Sequence, residues 1–124
     1  CMKRIISLGA AAAMLSVTAA PAVAQTAPPP AFAACKACHT VDKGGRNGVG
    51  PNLNGVVGRP AAAVPGFNYS NAMKASKLRW DEATLDQFLA APTKKVPGTR
   101  MPIGMADAAK RKAIIAFLKA QGGK

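Results

Sequence analysis

Apolar positions along this chain recur at helical spacing in two places and nowhere alternate as they would in a strand. Leu85, Phe88 and Leu89 fall at i, i+3 and i+4 and mark one face of a helix. Asp81 is placed to cap it, Glu82 sits at the favourable end of its dipole, and Pro92 stops it. A second helix is predicted from about Asp107 to Ala120, with Ile114, Ile115, Phe117 and Leu118 as its apolar face and Gly122-Gly123 as its end. Shorter helical stretches are predicted over residues 31–38, carrying Phe32, and over residues 70–75, with Ser70 as N-cap. Residues 40–65 and 93–105 mix glycines and prolines with no sustained period and read as loops. No internal repeat is present. The pattern predicts an all-α class of three main short helices joined by long loops.

The N-terminal pattern is different in kind. Lys3 and Arg4 precede an apolar, alanine-rich run over residues 5–17, and Pro21-Ala22-Val23-Ala24 supplies a small-x-small cleavage site before Gln25. This reads as a secretory signal peptide cleaved after Ala24. A retained membrane anchor is the alternative, because residues 5–24 could nearly span a bilayer, but alanine is weakly hydrophobic and Pro21 breaks the run. Cys1 lies ahead of Met2 and is read as an addition before the start methionine; a lipoprotein cysteine would follow the apolar run. The expected organisation is therefore residues 1–24 as leader, 25–30 as a Pro/Ala-rich linker, and 31–124 as one domain.

About 100 residues bury only about 60–65% of their unfolded surface, so a core of this size is marginal. It is also poor in large side chains: Phe32, Phe67, Tyr69, Trp80, Phe88 and Phe117 are all its aromatics. Something must add buried apolar area. Charge narrows the partners. The chain carries 17 basic and 5 acidic residues, and loss of Lys3 and Arg4 with the leader still leaves a formal +10. Such a surface steers toward acidic partners. Nucleic acid is a poor fit for an exported chain with no basic run or recognition motif.

The chemistry is concentrated in Cys35-Lys36-Ala37-Cys38-His39. C-x-x-C-H is the attachment motif for c-type haem. Two thiols three residues apart on a helical turn can reach the vinyl groups at one edge of a porphyrin, and the histidine that follows swings beneath the ring with Nε2 toward the iron. A thioredoxin-like dithiol would need a βαβ pattern, which is absent. A structural zinc site needs four ligands, where this region offers Cys35, Cys38 and His39. A plain disulfide would leave the position of the chain's single histidine as coincidence. A covalent haem c also supplies the missing apolar core.

With no second histidine, a methionine thioether is the natural sixth ligand, and Met/His ligation raises the reduction potential. Met73, Met101 and Met105 are the candidates. Met101 is favoured because Pro97-Gly98 and Pro102 stiffen its loop. Met105 is expected to be looser, beside Gly104, and Met73 is expected to pack.

Together with these residues, Gly50-Pro51-Asn52-Leu53, Gly58-Arg59, Pro65-Gly66-Phe67-Asn68-Tyr69-Ser70, Trp80 and Pro97-Gly98-Thr99-Arg100-Met101 follow the order and rough spacing of class I cytochrome c. The chain resembles the short bacterial relatives of mitochondrial cytochrome c over about residues 31–121. The resemblance implies thioethers at Cys35 and Cys38, His39 and Met101 on the iron, and the Pro51 carbonyl accepting the other ring N–H of His39. It implies that Tyr69, Trp80 and Thr99 hydrogen-bond the haem propionates and that Arg59 neutralises them. It also implies a crossing of the first and last helices through Phe32 and the Ile114/Phe117/Leu118 face. Three departures stand out. Phe88 occupies the place of a tyrosine whose hydroxyl often bonds the methionine sulfur, Pro28-Pro29-Pro30 shorten the first helix, and Met73 takes a commonly polar position.

The expected function is an exported, non-enzymatic, monomeric carrier of single electrons in the periplasm. It would run between acidic redox partners such as a quinol–cytochrome c reductase and a terminal oxidase. Lys36, Lys43, Lys94, Lys95 and Arg100 are the expected docking residues around the haem edge. The competing classes are a haem enzyme or gas-binding haem protein with a labile sixth ligand, and a tethered subunit of a respiratory complex.

Overall fold

A computed structural model describes residues 9–18 and 27–122. The basic pair, the expected cleavage site and Cys1 lie outside the described residues, and no described helix is long and apolar enough to cross a membrane. Among the described residues the chain is helical, and its one β-contact is an isolated antiparallel bridge between Pro60 and Arg79.

The chain enters through a 3-10 turn, Pro30–Phe32, that runs into α1, Ala33–Lys36. The expected helix over residues 31–38 is thus shorter and in two pieces. Pro30 is tolerated in the first turn because that N–H would be unpaired anyway. At the other end Cys35 O accepts from both Cys38 N (3.2 Å) and His39 N (2.9 Å), closing the segment as a turn.

Two N-caps match the expectation, at Ser70 and Asp81, and a third stands at Asp107, where the last helix is expected to begin. Ser70 accepts from Met73 N to open α2, Asn71–Ser76; Asp81 accepts from Thr84 N to open α3, Glu82–Ala90; Asp107 accepts from Lys110 N to open α5, Ala108–Gln121. Helix α2 ends on Lys77 in the left-handed conformation, φ 53°. Pro92 ends α3 as expected, with Ala91 forced extended before it. The segment after it is not wholly irregular, because Pro92 also starts one further helical turn, α4, Pro92–Lys95. Proline is a poor continuation of a helix and a good first residue of one, so the same residue does both.

Helix α3 packs against α4 and α5, and α5 packs against the N-terminal 3-10 turn. Phe32, wholly buried, meets Phe117 with ring centroids 4.8 Å apart and planes tilted 58°. Ile114, Ile115 and Leu118 are buried beside them, and Trp80 packs on Phe88 at 4.9 Å. The expected crossing of the chain's two ends through Phe32 and the α5 face is therefore present. These helices form one wall, and the long loops form the rest.

Candidate functional site

Between that wall and the loops lies a cavity of about 410 Å³, within the range of ligand sites. Cys35, Cys38 and His39 line it, as do Pro51, Arg59, Tyr69, Trp80, Thr99, Arg100 and Met101. Segments separated by more than 60 residues of chain thus converge on one space, which is otherwise walled by apolar side chains such as Leu53, Leu85 and Phe88.

His39 is held in a defined state. Its Nδ1 lies 2.7 Å from Pro51 O. A carbonyl only accepts, so Nδ1 carries the proton and Nε2 keeps a free lone pair. Burial lowers the pKa of His39, favouring the neutral ring, and outweighs the Pro51 bond, which acts the other way. The ring also lies directly on Gly50, where a Cβ would come within 2.6 Å of Nδ1 and 2.7 Å of Nε2. Only glycine permits that approach.

The loop that carries Pro51 is tied down by its polar side chains. Asn52 Nδ2 donates to Thr40 Oγ1 (2.7 Å) and Asp42 O (2.9 Å), and Asn54 Nδ2 donates to Val41 O and Gln121 O, both at 3.0 Å. Arg59 reaches in with Nη1 to Asn54 O (3.1 Å) and Nη2 to Asn52 O (3.2 Å). Its Nε is buried with no partner. Burial pulls the Arg59 guanidinium below its ordinary value, with Tyr69 acting the other way. A desolvated guanidinium on the cavity wall with a donor unspent is what an anionic group inside that cavity would satisfy.

The hydroxyls fit the same demand. Tyr69 Oη accepts from Val64 N at 3.0 Å and Thr99 Oγ1 from Met101 N at 3.3 Å, so each O–H is left to donate. Cys35 and Cys38 are half-buried free thiols with no disulfide between them, and burial pushes the Cys35 thiol up, keeping it protonated. Among the described residues no cluster of metal-binding side chains stands in for the zinc alternative. The residues present therefore fit a haem: apolar walls for the ring, two thiols at one edge, an unprotonated imidazole nitrogen, and unspent donors for carboxylates.

Met73, Met101 and Met105 all line the cavity. The expectation that Met105 is looser is not met. Met105 N donates to Leu89 O at 2.7 Å, and Met105 O accepts from Arg111 Nη1 at 3.0 Å. The docking candidates divide as well. Lys36, Lys43 and Lys94 are exposed and do not line the cavity, whereas Arg100 lines it and donates to Asn68 O at 2.9 Å. Lys95 is half-buried, with Nζ 2.6 Å from Gln87 Oε1, so it is the least free of the five. Sequence reasoning missed Arg111, Asn52 and Asn54 as anchors. An arginine in a first helical turn and asparagines in a loop read as solvated positions, and no local signal reveals their carbonyl partners.

Comparison with known proteins agrees with this geometry. The cytochrome c family model matches residues 30–121. Cytochrome c2 of Rhodoblastus acidophilus is 50% identical over 97 residues, covering 75% of this chain and 91% of the relative. Cytochrome c2 of Rhodomicrobium vannielii is 51% identical over 94 residues, covering 75% of each chain. The solved structure of cytochrome cH from Methylobacterium extorquens superposes with a TM-score of 0.67 at 54% identity, covering 72% of this chain and 90% of that one. The chain belongs to the cytochrome c family, as an all-α class I c-type cytochrome with one covalently attached haem c and an electron-carrying role.

Proposed function

We propose that this cytochrome is an exported, single-haem, non-enzymatic carrier that shuttles one electron between acidic redox partners in the periplasm, with His39 and Met101 on the iron. The observation that carries the reading is the fixed state of His39: Nδ1 is spent on Pro51 O at 2.7 Å, which leaves the Nε2 lone pair free to bind the iron. Cys35 and Cys38 would hold the haem through thioethers, each thiol adding its sulfur to one carbon of a vinyl group and its hydrogen to the other. This ties the ring to the turn that also carries His39. The haem iron, when bound, would supply a ferric/ferrous couple, and ligation by His39 and the Met101 thioether would raise its potential.

The chain's own residues then do three things. Leu53, Leu85, Phe88 and Trp80 exclude water from the cavity, which keeps reorganisation small. Arg59 Nε, Tyr69, Thr99 and Trp80 would receive the propionates. The loop held at Thr99 and Met105 presents the Met101 thioether. A quinol–cytochrome c reductase and a terminal oxidase are the partner classes that suit this chemistry, and binding to them is weak and fast. Separate Met101→Ala and Met105→Ala substitutions test the ligand. Met101→Ala is expected to abolish the far-red methionine–iron charge-transfer band of the oxidised protein and to admit carbon monoxide when reduced. Met105→Ala is expected to do neither. Rapid carbon monoxide binding by the unmodified protein overturns the carrier reading.

A further inference from the structure

We propose that Arg111 is a positioning residue for the Met101 thioether, acting by pinning the segment that joins the Met101 loop to α5. This rests on the reading of Met101 as an iron ligand. Arg111 stands in the first turn of α5, but its side chain is only 11% exposed. Its Nε is 2.8 Å from Asp86 Oδ1 on α3, and its Nη1 donates to Met105 O at 3.0 Å and Ala106 O at 2.8 Å. One planar guanidinium therefore joins α5, α3 and the backbone just beyond the loop, which a fork can do and a point charge cannot.

A second set of contacts converges on the same backbone. Met105 N takes Leu89 O, a carbonyl left over at the end of α3, at 2.7 Å. Gly104 is pressed so closely on α3 and α4 that a Cβ there would lie 3.0 Å from Pro92 Cδ and 3.1 Å from Leu89 O and Ala90 O. On the other side of Met101, Thr99 N donates to Val96 O at 3.0 Å and Thr99 Oγ1 holds Met101 N at 3.3 Å. The loop is thus fastened at both ends, while Pro102 and Ile103 between them are exposed, Ile103 by 70%. Opening the far fastening releases Met101 without unpacking the Phe32–Phe117 crossing.

An ordinary ion pair between two helices would do none of this, and the protein contains one for comparison. Lys119 Nζ and Glu82 Oε2 also join α5 to α3, at 3.5 Å, with side chains 63% and 58% exposed and no loop backbone attached. The test uses the oxidised, haem-loaded protein and imidazole as a probe for a vacated sixth position, read at the charge-transfer band. A ligand that binds only the open form gains affinity in proportion to the open population, so loss of these charge-assisted bonds in Arg111→Gln is expected to tighten imidazole binding by about tenfold. Lys119→Gln is expected to leave it unchanged, and the Met105 amide is expected to exchange faster in Arg111→Gln alone. Should Arg111→Gln fail to accumulate, Arg111→Lys decides: its ammonium reaches Asp86 or the carbonyls but not both, so a several-fold rise is expected and no rise overturns the clamp. Equal effects of Arg111→Gln and Lys119→Gln also overturn it. If Met101→Ala abolishes the band while Arg111→Gln binds imidazole like the unmodified protein, the clamp alone fails. If Met101→Ala keeps the band, the ligand reading fails and the clamp falls with it.

Discussion

His39 donates from Nδ1 to Pro51 O across 2.7 Å, and the residue between Pro51 and the approaching ring is a glycine with no room for a methyl group. The bond and the contact work together: Gly50 lets the backbone come near enough for the next carbonyl to fix the tautomer. Gly50→Ala is expected to displace the ring and cost about 1–3 kcal/mol, the usual range for overpacking. Denaturant unfolding of the haem-loaded protein measures it. A stability equal to that of the unmodified protein would show that the ring moves aside freely.

Arg59 gives a second prediction, because its Nε is buried and unpaired while both Nη groups are occupied by Asn52 O and Asn54 O. Beside a propionate, as we propose, its positive charge would disfavour the oxidised iron, which carries one charge more than the reduced. Arg59→Leu removes that repulsion, so the reduction potential is expected to fall. A tenfold change in the one-electron equilibrium corresponds to about 59 mV, and a drop on that order is expected in a spectroelectrochemical titration. A potential that stays the same or rises would mean that Arg59 serves only to hold the Asn52–Asn54 loop.

The contrast between His39 and Arg111 explains how much was legible in the sequence. The haem motif is local: two thiols and an imidazole within five residues, each needed at its own spacing. The N-caps Ser70, Asp81 and Asp107 are equally local, since each side chain accepts from an N–H three residues on. Arg111 and Asn54 act on partners that only the folded chain brings near, Asp86 for Arg111 and the Gln121 carbonyl for Asn54, so no spacing announces them. The short helix at Pro92–Lys95 is hidden for another reason: Pro92 marks the end of α3, and nothing in the spacing after it signals that it also begins the next helix.

The Asp81 cap carries a pH dependence whose sign follows from its partners. The Thr84 backbone N–H, 2.7 Å from Oδ1, and then the Thr84 side chain hold the Asp81 carboxyl below its ordinary 3.8. The unfolded chain therefore binds this proton more readily than the folded one. The stabilisation is complete above about the ordinary value and is lost as pH falls through the lower folded value. Thermal midpoints of the unmodified protein and Asp81→Ala are expected to differ at neutral pH and to converge in acid. A constant gap would assign the effect to something other than the carboxylate.

Phe32 is wholly buried against Phe117 although it stands in a single 3-10 turn. A turn of three residues has little stability of its own, so the ring is what holds the attachment segment to α5. Phe32→Ala is expected to cost about 3–5 kcal/mol, the range for emptying a buried aromatic site. Calorimetry of the haem-loaded protein checks this, and a loss below about 1 kcal/mol would mean the covalent haem carries the segment without the crossing.

The basic surface leads to the last prediction. A formal +10 over residues 25–124, on a chain with only 5 acidic residues, produces a long-range field that raises encounter rates with acidic partners and fades with added salt. The second-order rate of reduction by an acidic reductase is therefore expected to fall steeply as ionic strength rises. Individual lysines should not contribute equally. Lys94 is exposed, whereas the neighbouring Lys95 is half-buried and directed to Gln87 Oε1 at 2.6 Å. Charge reversal at Lys94 is expected to slow the reaction more than reversal at Lys95, with the difference vanishing at high salt. A flat response to salt would remove electrostatic steering from the account and leave the haem site as it stands.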